Sequence, residues 1–184
     1  MQHLAPILRR LPNLQRLNIM CYNRPNISSI TEYDFDSSLY NGLVDCVPYL
    51  THLSLNITHT PFYEIQMLLQ QFPNLIKLSF SSLLIHEYTN GSNWQTLIEN
   101  ALPKLQKFNL FINETQIPNR TQIDLKKIIE SFSTIFWQRW PVMVEYYIES
   151  LSKKHLILYT LPSSRDSIRT YLYGIQCQSS REFK

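Results

Sequence analysis

The same arrangement of apolar and polar positions returns four times along the chain. It reads apolar, proline, variable, leucine, two variable residues, apolar, short polar, apolar. The four copies are LPNLQRLNI from Leu11 to Ile19, VPYLTHLSL from Val47 to Leu55, FPNLIKLSF from Phe72 to Phe80 and LPKLQKFNL from Leu102 to Leu110. Their starts lie 36, 25 and 30 residues apart. Proline lacks an amide donor and crowds the preceding turn, so it stops any helix that reaches it. The closing apolar–polar–apolar triplet has the two-residue period of a half-buried strand. Each copy therefore predicts a helix end, a turn and a strand, with Leu14, Leu17, Ile19 and their equivalents facing inward.

The intervals between copies carry helical periodicity. Pro61 suits a first helical turn, and Phe62, Ile65, Leu68, Leu69 and Phe72 then share one face. Ser92 or Asn93 is expected to cap a helix carrying Trp94, Leu97, Ile98 and Ala101. Ile123, Ile128, Ile129, Phe132, Ile135 and Phe136 predict a third apolar stripe. The interval around Leu39, Leu43 and Val44 is weaker. Beyond Trp137 the pattern turns to strands: Val142–Ile148, His155–Leu161 and a third at Arg169–Tyr173, with a polar turn from Ser150 to Lys154.

The phrase resembles the leucine-rich repeat, L-x-x-L-x-L-x-x-N. The long, irregular spacing with a helix in each unit resembles the repeat region of F-box/leucine-rich-repeat adaptor proteins. The asparagine position holds Tyr22, Thr58, Leu83 and Asn113, so one of four matches. No F-box-like segment precedes the first copy. The resemblance implies an α/β fold: a short solenoid with a parallel concave sheet and helices on the convex side. Residues 1–137 form the repeat-like units, 138–177 a β-rich cap of the same domain that closes the last unit, and 178–184 a loose tail. Tyr146, Tyr147, Tyr159, Tyr171 and Tyr173 are expected to pack within the cap together with Trp137 and Trp140. Leu4, Ile7 and Leu8, at the open first unit, are expected to face water.

Strand alternation fixes which residues look out from the concave face. One column is Arg16, His52, Lys77 and Lys107. Its neighbour is Asn18, Ser54, Ser79 and Asn109. A third is Met20, Asn56, Ser81 and Phe111. The first two columns are the candidate partner-binding residues. Three permanent cations in line suit a protein partner that is acidic or phosphorylated, although exposed lysines also simply keep a face soluble.

Composition narrows the remaining options. Of 184 residues, 44% are apolar and 17% charged, enough for a core and against global disorder. The formal net charge of +3 is too mild to argue nucleic acid binding. Three glycines exclude most phosphate-binding loops. No catalytic or metal-binding motif occurs, so neither catalytic residue, metal nor cofactor is expected. Cys46 and His52 lie close in sequence but on opposite sides of Pro48, and Cys46 is expected to end a helix. Glu32, Asp34, Asp36 and Asp45 lack the glycine a calcium loop needs. An odd cysteine count, with arginines interrupting the first apolar run, points to a cytoplasmic or nuclear protein rather than a secreted or membrane one. Five N-x-S/T sequons, at Asn26, Asn56, Asn90, Asn113 and Asn119, keep a secreted or surface ectodomain open as an alternative. A degenerate copy without a partner is another. The leading expectation is a non-enzymatic protein-interaction module, which the resemblance extends to the substrate-recognition part of a ubiquitin-ligase adaptor.

Overall fold

A computed structural model describes residues 7–21, 43–58, 60–83, 86–115, 125–150 and 153–161. The repeated phrase folds the same way each time. Its leucine N–H donates to the carbonyl of the opening apolar residue: Leu14 to Leu11, Leu50 to Val47, Leu75 to Phe72 and Leu105 to Leu102, at 3.0–3.1 Å. This is a four-residue turn with proline second, where its fixed φ is already correct. A second device joins one unit to the next. The Gln15 carbonyl accepts from the N–H groups of Thr51 and His52, Thr51 does so from Ile76 and Lys77, and Ile76 from Gln106 and Lys107, at 2.8–3.0 Å. Two donors on one carbonyl set the register just before each strand begins.

The strands are β1 (Arg16–Cys21), β2 (His52–Thr58), β3 (Lys77–Leu83), β4 (Lys107–Thr115), β5 (Val142–Ser150) and β6 (Lys153–Thr160). They form one six-stranded sheet in the order β1-β2-β3-β4-β6-β5. β1 to β4 are parallel, whereas β6 is antiparallel to β4 and to β5. The sheet is therefore mixed, not parallel throughout. The expected cap is a hairpin continuing the same sheet, with its later strand inside. The reason is composition: Leu156, Ile157 and Leu158 are consecutively buried, as an interior strand covered on both faces requires. Thr160 extends the β4–β6 ladder, its Oγ1 accepting from the Leu110 N–H at 3.0 Å and donating to the Phe108 carbonyl at 3.2 Å.

Helices α1 (Leu43–Cys46), α2 (Phe62–Leu69), α3 (Gly91–Ala101) and α4 (Leu125–Ser131) alternate with the strands. The α2 stripe is buried as its spacing predicts. Its first N–H, on Phe62, donates to Glu87 Oε2 at 2.8 Å, so a residue from a following 3-10 turn (His86–Thr89) caps it. The cap of α3 is Asn90, not Ser92 or Asn93: Asn90 is extended and its Oδ1 accepts from the Ser92 N–H at 3.0 Å. Gly91 permits this early start. An added Cβ there would lie 2.4 Å from the Ser131 carbonyl oxygen, and the Gly91 N–H donates to Ser131 Oγ at 2.9 Å. The third stripe is broken. Ser131 and Ser133 hydroxyls donate to the Ile128 and Ile129 carbonyls at 2.7 Å, competing with further helix. A 3-10 turn (Ile135–Arg139) follows and changes the phase. Ile128 and Phe132 stay buried, while Ile135 is 82% exposed.

The core lies between the helices and one sheet face. Aromatic rings run through it from Phe62 and Phe80 through Tyr88 and Trp94 to Phe108, then to Trp137, Trp140, Phe132 and Phe136, with centroids 4.7–6.3 Å apart. Trp94 Nε1 donates to the Tyr88 carbonyl at 3.0 Å, and the Tyr88 hydroxyl to that of Thr60. Burial, with Glu87 and Glu64 nearby, holds the Tyr88 phenol well above its ordinary range. Burial also raises the Glu64 carboxyl, against a hydrogen bond from Tyr63. Leu14, Leu17 and Ile19 are only half-buried, unlike their equivalents in the next three units. Ile7 is exposed as expected, but Leu8 is fully buried. Leu4, Tyr22, Leu39, Ile123, the loop carboxylates Glu32, Asp34 and Asp36, the strand expected at Arg169–Tyr173 and the tail 178–184 lie outside the described residues.

Candidate functional site

The register stacks the candidate residues in line. Arg16 pairs with His52, His52 with Lys77, and Lys77 with Lys107. Asn18, Ser54, Ser79 and Asn109 pair in the same succession, as do Met20, Asn56, Ser81 and Phe111. These residues occupy the sheet face opposite the helices. Strand alternation puts them there because Leu53, Leu55, Leu78, Phe80, Phe108 and Leu110 take the core side.

The face is not flat. Its second and third columns line an open groove of about 240 Å³ that ends against Tyr159 and Thr160 of β6. Short side chains make the floor: serine holds three of the eight positions in these two columns, Ser54, Ser79 and Ser81, while Asn18, Asn56 and Asn109 offer amides. Asn109 Nδ2 donates to Ser79 Oγ at 3.3 Å, a long bond that leaves much donor and acceptor capacity in the groove. Along one border run Arg16, His52, Lys77 and Lys107. The His52 Nδ1 shares a 2.9 Å hydrogen bond with Thr51 Oγ1, which turns the ring toward its own strand start. Among the described residues no carboxylate forms an ion pair with Arg16, Lys77 or Lys107. Adjacent strands are ~4.8 Å apart, so neighbouring like charges at full hydration repel by at most about 1 kcal/mol before salt screening.

The other border has a feature that sequence reasoning missed. Phe111 pairs with Tyr159, and Tyr159 with Met143. Directly paired residues share a sheet face, so three apolar side chains form a shelf across β4, β6 and β5. Met143 is 43% exposed, and the Tyr159 hydroxyl donates to Glu145 Oε1 at 2.7 Å. Alternation within His155–Leu161 puts Tyr159 opposite the buried Leu158, but only the strand order brings it beside Phe111.

Other motifs resolve as follows. Cys46 ends α1 and is half-buried, while His52 belongs to the basic column. Asp45 is exposed. Asn90 is engaged as a helix cap. Asn113 is 7% exposed, so glycosylation there would require the strand to open. Asn56 lines the groove, and Asn26 and Asn119 lie outside the described residues. Among the described residues no helix is long and apolar enough to cross a membrane. No family model, curated protein or solved structure matches the chain.

Proposed function

We propose that this protein is a non-enzymatic interaction module, a short leucine-rich-repeat arc whose open sheet face holds an acidic or phosphorylated segment of a protein partner. One observation carries the proposal: a line of Arg16, His52, Lys77 and Lys107 borders a groove floored by hydroxyl and amide groups. The cations attract and steer an anionic chain, and the floor offers donors and acceptors to its backbone. Identical turns and carbonyl bridges in successive units support the repeat architecture. By the resemblance to F-box/leucine-rich-repeat adaptors, the module selects substrates for a ubiquitin ligase in the cytoplasm or nucleus.

The test is charge reversal with partners quantified by affinity purification and mass spectrometry. Lys77→Glu with Lys107→Glu is expected to lose the specific partners while leaving the thermal midpoint nearly unchanged, because both side chains lie outside the core. Unchanged recovery of every specific partner would remove the basic face from the proposal. Ligase core subunits recovered with the wild type would support the adaptor role, and their absence would oppose it.

A further inference from the structure

The open face is chemically divided, and the division specifies more than acidity. From β1 to β4 it presents cations and a polar floor, broken by a lone exposed Met20 at the β1 edge. From β4 through β6 to β5 it presents Phe111, Tyr159 and Met143 in one row, while Asn113 and Ile157, next on the same face, are buried, so the face is open there only along this row. Met143 is 43% exposed and adjoins Tyr159 and, through it, Phe111, so this row is a contiguous apolar patch rather than a single surface residue like Met20. Tyr159 is moreover tethered: it is the register partner of Phe111 on β4, and its hydroxyl donates to Glu145 Oε1 at 2.7 Å. A ring with little freedom to lose is a good binding anchor.

Resting on the groove reading above, we infer that the partner segment is extended, runs across the strands and has two parts: acidic residues over Arg16–Lys107 and one apolar side chain seated on the Phe111–Tyr159–Met143 shelf. The dimensions agree. From Arg16 to Met143 the path crosses five gaps of ~4.8 Å and, because Phe111 lies four residues beyond Lys107 on β4, advances ~13 Å along the strands; the ~27 Å diagonal is covered by about eight residues of extended chain. Four of those strands carry the basic column and three the shelf, sharing β4. A second copy of this chain is a poor occupant, because two such faces would bring cationic columns together. Glu145 beside the shelf further disfavours acid at that end, so the segment has a fixed direction.

The experiment is selection of a phage-displayed random dodecapeptide library on the purified protein, followed by fluorescence polarisation with the selected peptide. The expected consensus has acids toward one end and a leucine, methionine or aromatic residue at the other. Met143→Ala and Tyr159→Phe both preserve the sheet, and Tyr159→Ala removes the ring. Met143→Ala and Tyr159→Ala are expected to weaken the peptide at least fivefold. A peptide whose apolar residue is serine should bind weakly to the wild type and be indifferent to both substitutions. Tyr159→Phe, which keeps the ring and loses the Glu145 bond, should fall between. Replacing glutamate by phosphoserine in the selected peptide then tells which anion the face prefers, and either preference agrees with the inference. Peptides that need Lys77 and Lys107 but ignore Met143 and Tyr159 would overturn the shelf and leave the groove proposal standing. Peptides indifferent to Lys77→Glu/Lys107→Glu, or no enrichment at all, would overturn both. Displacement of the peptide by a dT12 oligonucleotide at equal affinity, with a steep salt dependence, would assign the face to nucleic acid and overturn both as well.

Discussion

Gly91 has no room for a side chain. A methyl group would meet the Ser131 carbonyl oxygen at 2.4 Å and Phe132 Cδ1 at 2.9 Å. Gly91→Ala must push α3 from α4, and overpacking of this kind costs about 1–3 kcal/mol, readable as a lowered urea midpoint. Glu64 makes a different prediction. Burial raises its folded pKa above the ordinary 4.5. Below that value the carboxyl is protonated in both states and adds nothing. As pH rises through the folded pKa, the native state must ionise a group that burial disfavours, so stability falls. Glu64→Gln removes the penalty. The variant is therefore expected to gain on the wild type between pH 4 and pH 7 in paired denaturation curves, and an unchanging difference would refute this.

At the scale of elements, the repeated phrase was readable because its information is local. Proline, leucine and alternation specify the turn and strand within nine residues, and the columns follow from counting. The hairpin's place was not readable in that way. Which strand of β5–β6 joins β4 is a competition between distant partners, won by the strand with more continuous apolar sequence. Thr160 seals that choice by satisfying both Leu110 N–H and Phe108 C=O. Thr160→Val keeps the shape and removes the hydroxyl, so about 1–3 kcal/mol should be lost, with the largest amide-exchange increase at β4 and β6. The cap of α3 lies two or three residues before the expected Ser92 or Asn93, because Asn90, Ser92 and Asn93 are all good caps; the close contact of Gly91 with Ser131 selects among them. The Glu87 cap on α2 was invisible in sequence, being 25 residues from Phe62. Glu87→Ala should cost about 1 kcal/mol.

Across the whole molecule, burial is graded. Leu14, Leu17 and Ile19 are half-buried, whereas Leu75, Leu78 and Phe80 are buried. Leu78→Ala is expected to cost about 2–5 kcal/mol and Leu17→Ala less than half as much, since fewer contacts and a smaller cavity are at stake. Amide exchange should be fastest at β1 and slowest at β3 and β4; equal protection would contradict the gradient.

The chain of rings in the core also determines what light can report. Trp94, Trp137 and Trp140 are the protein's three tryptophans, and each is buried against Phe108 or its neighbours. None lies in the first two repeat units. Intrinsic fluorescence therefore watches the half of the molecule around β3, β4 and the hairpin and is blind to loosening at β1. A fluorescence melt would run late against a backbone circular dichroism melt if the first unit lets go early, and the gap between the two curves would be an optical measure of that unit's independence.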